Sequence, residues 1–325
     1  MDAVVVVGSV DDGQRAAVGA LLEAAAGADG KAAVSEQGRL ALRGARPGGN
    51  GADGGGGGHG GSVDGGRGDG AGRADGGGGG AAGGVRHLLQ YDGAELVGYG
   101  QLDAGGTAEL VVAPARRGEG YGRALVSAAV SAGARQLWAH GGHPAALHLA
   151  AALGMELVRE LRQMRRPLPV EELSAELPDG IALRTFVPGR DEEEWLALNA
   201  AAFAHHPEQG GWTRQDLADR IAEPWFDPDG FFLAVRDGRM VGFHWTKVEG
   251  ATGEVYVVGV HPSEQGSGLG RALTAVGLRH LGGERKLETV LLYVDADNPA
   301  AVRVYERMGF TVYEVDLMFR VGAAA

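Results

Sequence analysis

Two glycine-spaced turns carry the clearest chemical signal in the sequence. They read Arg117-Gly118-Glu119-Gly120-Tyr121-Gly122-Arg123 and Gln265-Gly266-Ser267-Gly268-Leu269-Gly270-Arg271. Each follows a β-branched run closed by a proline, Leu110-Val111-Val112-Ala113-Pro114 or Val258-Gly259-Val260-His261-Pro262, and each opens a helical stretch. Glycines let successive backbone N–H groups converge on one anion, and a helix N-terminus adds partial positive charge. A diphosphate suits such a turn. The chain has no Gly-Lys-Ser/Thr, which excludes a Walker A loop. The G-x-G-x-G spacing, on antiparallel strand grammar and without an acidic residue about 20 positions on, fits a dinucleotide fingerprint poorly. A single turn of this kind reads equally well as a plain tight turn. Two in matching surroundings argue against that reading.

The elements that must hold these turns are written twice. Pro114 and Pro262 lie 148 residues apart, and Leu153-Gly154-Met155 answers Met308-Gly309-Phe310 at a spacing of 155. Two ordered landmarks at nearly one period mean a duplicated domain of about 150 residues, too long for a solenoid unit. In the second copy, residues 231–235, Asp237-Gly238 and 240–245 read as a hairpin. Residues 254–260 read as a strand, the stretch with Leu269, Leu273 and Val276 on one face as a helix, and 289–294 as a second strand. Asn298 stands at an N-cap with Pro299 at N1, and Gly309 where a C′ residue belongs. The first copy repeats the hairpin as 85–91, Asp92-Gly93 and 96–102. The expected fold is mixed α/β (α+β), each copy a curved mixed sheet flanked by helices. The proline-punctuated, polar segment 164–180 joins the copies, with a boundary near 169 and domains at 1–168 and 169–325.

Composition narrows the partners. The 325 residues are a soft prior for two domains. Thirty Lys and Arg against 42 Asp and Glu give a net charge of −12, which disfavours a nucleic-acid backbone. The absence of cysteine removes disulfides, thiolate zinc sites and Cys nucleophiles. No apolar run reaches the roughly 18–20 residues that span a bilayer, and the valine-rich start lacks a basic segment and cleavage site. A cytoplasmic monomer without nucleic-acid or membrane partners is expected. Of the 41 residues from Gly44 to Gly84, 23 are glycine and Val63 is the one sizeable apolar side chain. Such a stretch buries too little to offset its ordering entropy, so a flexible insertion is expected. Its Arg46, Arg67 and Arg73 without aromatic neighbours make a poor RNA-binding tract. His140, His143 and His148 lack a carboxylate at ligand spacing, so no metal is expected.

The second turn together with Asn298-Pro299-Ala300-Ala301-Val302-Arg303-Val304-Tyr305-Glu306-Arg307-Met308-Gly309-Phe310 resembles the GNAT (Gcn5-related) N-acetyltransferases. Two tandem copies, with His205-His206-Pro207-Glu208-Gln209-Gly210-Gly211-Trp212-Thr213, Trp225-Phe226-Asp227-Pro228-Asp229-Gly230 and Gly242-Phe243-His244-Trp245-Thr246-Lys247-Val248, are similar to the mycothiol synthase family. Gly253-Glu254-Val255-Tyr256-Val257-Val258-Gly259-Val260 and Leu291-Leu292-Tyr293-Val294 extend that likeness. The resemblance implies acetyl transfer from acetyl-CoA, as co-substrate and without a metal. The acceptor it implies is a small molecule, the cysteinyl amine of a cysteinyl-glucosaminyl-inositol conjugate. Competing readings are a GNAT for another small amine or for protein N-termini, and a non-catalytic acyl-CoA sensor. Glu208 and Lys247 suggest a closed polar pocket rather than a peptide groove, and Glu254 with Tyr305 argues against a sensor.

An α-amine with a reference pKa of about 7.7–8.0 is partly protonated at neutral pH, so transfer needs a base, and the leaving thiolate needs an acid. The resemblance makes Glu254 the base, through a water, and an acceptor contact; an ordinary strand-edge carboxylate is the alternative. Tyr305 lies two helical turns past the Asn298 cap, and helical side chains lean toward the N-terminus, so it is the acid candidate. A half-buried core tyrosine explains it equally well. The resemblance adds Glu36, Glu208, Lys247 and Tyr293 as acceptor contacts. It gives Leu110, Val111, Val112, Val258, Gly259 and Val260 to the pantetheine amides. Gly118, Glu119, Gly120, Tyr121, Gly122, Arg123, Gln265, Gly266, Ser267, Gly268, Leu269, Gly270 and Arg271 go to the pyrophosphate. Asn298, Pro299, Ala300, Ala301, Val302 and Arg303 complete the cofactor-binding set. In the first copy Ala150 replaces Tyr305, Gly106 replaces Glu254 and Trp138 replaces Tyr293. That copy is expected to bind cofactor without catalysing.

Overall fold

The computed structural model describes residues 2–43, 84–170, 173–204 and 207–322, with the side chains of 207 and 208 excepted. The glycine-rich stretch of 44–84, Gly84 apart, lies outside the described residues. The chain gathers into two compact units, Met1–Leu137 and Trp138–Ala325.

The first unit contains β1 (Val5–Val7), α1 (Asp12–Asp29), α2 (Glu36–Arg43), β2 (Arg86–Asp92), β3 (Glu95–Leu102), β4 (Thr107–Val112) and α3 (Tyr121–Ser131). It ends within β5 (Gln136–Ala139). The strand order is β1-β2-β3-β4-β5, antiparallel from β1 to β4. Asp11 and Gln14 start α1 with a reciprocal capping box, at 2.8 and 3.0 Å. Val18, Leu21 and Ala25 recur at helical spacing and pack on Leu89, Tyr99 and Val111 of the sheet.

The second unit holds α4 (Pro144–Ala152), β6 (Glu156–Pro167), β7 (Ala182–Thr185), α5 (Glu192–Ala202), α6 (Pro207–Gly210) and α7 (Arg214–Ile221). It continues with β8 (Phe231–Arg236), β9 (Arg239–Glu249), β10 (Thr252–Val260), α8 (Leu269–Arg279), β11 (Thr289–Asp295), α9 (Pro299–Arg307) and β12 (Thr311–Arg320). The strand order is β12-β6-β11-β10-β9-β8-β7. Every neighbouring pair is antiparallel except β10 with β11. The β8–β9 hairpin turns at Asp237 and Gly238, both at positive φ, as a tight two-residue turn requires. Asn298 caps α9 by accepting from the Ala301 N–H at 3.1 Å, with Pro299 next in line.

Two hydrophobic layers clamp this sheet. Met164, Val255, Val290 and Leu292 pack with Ala275 and Leu278 of α8 and Val302 of α9. Phe231, Phe243, Trp245 and Val257 pack with Trp195 and Leu198 of α5 and Leu217 of α7. Val255 and Val257 are two apart and would share a face of a regular strand. The β9–β10 register shifts between them, making Tyr256 the extra residue of a bulge that sends them to opposite layers.

The structure differs from the sequence reading around residue 164. Met164 to Pro167 were expected in a linker, but they finish β6, which is inserted between β11 and β12. Polar side chains occupy both faces of β6, so it lacks the apolar alternation of a half-buried strand. Its hydrogen bonds to strands on both sides hold it instead. The compact unit therefore divides the chain earlier than the sequence repeat does, since repeat-one residues 138–168 pack within the second unit.

Candidate active site

The parallel pair at the centre of the second unit is short. Thr252, Gly253 and Glu254 of β10 face Thr289, Val290 and Leu291 of β11, and pairing stops there. Among the described residues β10 runs on to Val260 paired with β9 alone. Its β11-facing N–H and C=O groups at Val258, Gly259 and Val260 thus line a slot inside the sheet, open to an extended chain that carries its own amides. Glu254 stands at the apex of that slot.

Lys247 lies opposite Glu254 on β9. Its ammonium is 3.1 Å from the Glu249 carboxylate and sits over the rings of Trp225 and Tyr256, at 4.9 and 5.4 Å from their centroids. Anion and aromatic faces compensate a cation that is 4% exposed. Tyr293 of β11 is two residues past the last rung and so on the same face as Leu291 and Glu254. Its hydroxyl accepts from Gln163 Nε2 at 2.8 Å. Although Tyr293 is 41% exposed as a residue, desolvation, and then the Glu254 charge, push its phenol up to about 12. Lys247, Glu254 and Tyr293 are therefore brought together. Glu208 lies on α6, which Asn199 of α5 ties down by donating to the Gln209 carbonyl at 2.6 Å. Glu36 is the half-buried first residue of α2 in the first unit.

Tyr305 projects from α9 into the layer beneath β10 and β11, edge-on to Phe310 at 5.9 Å. Burial pushes its hydroxyl up to about 12, and that hydroxyl has no hydrogen-bond partner among the described residues. It is a protonated donor at neutral pH.

The turn after β10 fits a diphosphate. Gly266 and Gly268 have φ of +83° and +88°, and an added β-carbon at either would meet nothing within 4 Å. Gly268 begins α8 without a side-chain cap. The amides of Gly266, Gly268, Gly270 and Arg271 find no acceptor among the described residues, while those of Gln265 and Ser267 bond within the turn. Four free donors at a helix N-terminus form an anion cradle. Leu269 and Val302 are buried, so they offer a ligand only backbone. The Asn298 oxygen caps α9, which leaves its NH₂. Pro299, Ala300, Ala301 and Arg303 surround that cap on the first turns of α9.

In the first unit the corresponding turn has the same form. Gly118 and Gly120 have φ of +80° and +95°, and Gly120 begins α3 uncapped. Tyr121 is buried, with its hydroxyl accepting from Arg116 at 2.7 Å, and Glu119 pairs with the same arginine at 3.1 Å. Gly122 and Arg123 continue into α3, and Leu110, Val111 and Val112 pair with β3. Gly106, in place of Glu254, occupies a turn whose carbonyl accepts from Arg135 at 2.7 Å. Ala150 is a buried position of α4, and Trp138 stacks on His140 at 5.9 Å. Among the described residues no group of three His, Cys, Asp or Glu could hold a metal ion.

Sequence reasoning missed two polar residues at this site, Gln163 and Arg165 of β6. Gln163 is 5% exposed, and its side-chain oxygen accepts from Arg165 Nε at 2.8 Å. A strand of mixed charges ending in proline gave no periodic signal to place them.

A profile described as the acetyltransferase (GNAT) family matches residues 194–310. Curated relatives include the mycothiol acetyltransferase of Streptomyces avermitilis, 54% identical over 322 residues, covering 96% of this chain and 93% of the relative. That of Streptomyces coelicolor is 55% identical over 320 residues, covering 94% and 91%. A solved GCN5-related N-acetyltransferase from Sphaerobacter thermophilus matches 100% of this chain and 98% of its own, with a TM-score of 0.60 and 22% identity. A tandem GNAT protein from the clavulanic acid biosynthesis pathway matches 74% and 84%, with a TM-score of 0.57 and 23% identity. Those two structures speak for the fold alone.

Proposed function

Since the chain belongs to the mycothiol acetyltransferases, a family of acetyl-transferring GNAT enzymes, we propose that it performs the last acetylation of mycothiol biosynthesis. Acetyl moves from acetyl-CoA to the cysteinyl amine of a cysteinyl-glucosaminyl-inositol conjugate. The observation that carries this reading is the parting of β10 from β11 immediately after Glu254, with an anion cradle at the far end of β10.

Acetyl-CoA supplies an acetyl thioester open to attack by a neutral amine. Gly266, Gly268, Gly270 and Arg271 hold its diphosphate through their amides, and Val258, Gly259 and Val260 take its pantetheine arm along the open edge of β10. Glu254 removes a proton from the acceptor ammonium through a water. Lys247, Tyr293 and Glu208 orient the polyhydroxyl acceptor. Tyr305, held protonated by burial, donates its proton at the departing sulfur. The first repeat, 1–168, keeps the cradle but carries Gly106 and Ala150 where the base and acid would stand, so its role is cofactor binding without catalysis.

The test is direct. Purified protein with acetyl-CoA and the cysteinyl-glucosaminyl-inositol conjugate should release free CoA thiol and yield an acceptor heavier by one acetyl group on nitrogen. Equal turnover with unrelated primary amines, or none with this acceptor, would refute the assignment.

A further inference from the structure

The strand beside Tyr293, β6, belongs by sequence to the first repeat, and among the described residues it carries the side chain bonded to the Tyr293 hydroxyl. Gln163 faces Tyr293 directly in the β6–β11 register. Its Nε2 donates to the phenol oxygen at 2.8 Å, and its Oε1 accepts from Arg165 Nε at 2.8 Å. Arg165 lies over the ring of Tyr313, 3.5 Å from the centroid.

The direction of these bonds is fixed by chemistry. A guanidinium has only donors, so it takes the oxygen of the Gln163 amide and forbids the flipped orientation. The NH₂ end must then face Tyr293. A phenol oxygen that accepts there keeps its own proton for a different partner. The Glu254 charge is felt at the phenol, and more weakly those of Asp316 and Glu314.

We propose that Gln163, oriented by Arg165, is a positioning residue that makes Tyr293 a hydrogen-bond donor toward the acceptor. The chain Tyr313, Arg165, Gln163, Tyr293 sets one proton's direction. This rests on the reading of Tyr293 as an acceptor contact. It assigns the first repeat a part in acceptor recognition, through a strand lodged in the second unit.

Gln163→Glu tests it with almost no change of shape. A carboxylate still satisfies Arg165 but accepts from Tyr293 instead of donating, turning the phenol proton away from the acceptor. The acceptor KM should rise about tenfold, the scale of one lost net hydrogen bond, with the acetyl-CoA KM unchanged. In a Tyr293→Phe background the same substitution should add nothing, because there is no proton left to direct. Arg165→Met frees the amide to flip, and should raise the acceptor KM a few-fold in the wild-type background only. Additive effects of Gln163→Glu and Tyr293→Phe, or equal loss toward both substrates, would overturn the proposal and leave Tyr293 as a contact. A Tyr293→Phe enzyme with an unchanged acceptor KM would overturn both. If the Gln163 variant does not fold, an unchanged acceptor KM in Arg165→Met decides against the proposal.

Discussion

Glu254 and Leu291 form the last rung between β10 and β11. Two residues further along β10, the bulge at Tyr256 rotates the strand against β9. These two irregularities have one effect. The paired half of β10 anchors the Glu254 carboxylate beside Lys247, and the unpaired half exposes backbone to a ligand. A regular ladder would do the first and forbid the second.

Glu254→Gln keeps the shape of this apex and removes its basicity. Turnover should fall by about 10²–10⁴-fold at pH 7, the usual contribution of a general base. The deficit should shrink as pH rises past the amine's reference pKa of about 7.7–8.0, where the acceptor arrives already neutral. A pH–rate profile from 6 to 9 checks this. A deficit that stays constant over that range would assign Glu254 to binding alone.

Tyr305 is pushed up to about 12, so it stays protonated across the working range and should contribute no descending limb to kcat below about pH 10. Tyr305→Phe should lower kcat and leave the acetyl-CoA KM within about twofold, because the hydroxyl acts on departure and not on binding. The variant's loss should be smaller with a thioester of more acidic thiol, which needs less help in leaving. Equal losses for both thioesters would make Tyr305 a packing residue.

Much of this site was legible because its parts are local. The cradle is written in consecutive residues, and the Asn298–Pro299 start of α9 follows from one capping residue and one proline. The Asp237-Gly238 hairpin needed only two residues at positive φ. The β10–β11 parting was not legible, since it depends on how two strands over 30 residues apart diverge. The Gln163–Tyr293 bond was hidden for a stronger reason. It joins residues 130 apart in sequence through a strand whose side chains are polar on both faces, so periodicity could not place it. Lys247 was assigned to the acceptor through the family resemblance alone. That Trp225 and Tyr256 pack around its ammonium depends on residues distant in sequence or across a strand, and was not legible.

His244 gives the fold a pH dependence of known sign. It is fully buried between β9 and α8, and Nδ1 donates to the Leu273 carbonyl at 2.8 Å. Burial pushes it down to about 4, the His280 charge assists, and the Leu273 carbonyl opposes. The native state thus keeps His244 neutral while the unfolded chain protonates it near 6.5. The contribution is complete above pH 6.5 and is lost as pH falls toward 4, by up to about 1.4 kcal/mol per pH unit. His244→Gln should be less stable at pH 7.5 yet lose stability less steeply from 6.5 to 4.5. Urea melts across that interval measure the slope, and an unchanged slope would clear His244 of the effect.

The two cradles allow a comparison in which backbone strain cancels. Gly120 and Gly268 both start a helix at strongly positive φ, +95° and +88°, so any side chain costs each about the same 1–2 kcal/mol. Glutamate at either position also sets a carboxylate against a diphosphate. Folding should suffer alike in Gly120→Glu and Gly268→Glu, as thermal melts will show. Their kinetics should not. Only the second repeat joins its cradle to Glu254 and Tyr305, so Gly268→Glu should abolish turnover. Gly120→Glu should remove one CoA-binding event from calorimetry and keep most of kcat. An inactive, folded Gly120 variant beside an active Gly268 variant would move catalysis to the first repeat, where Gly106 and Ala150 offer neither base nor acid.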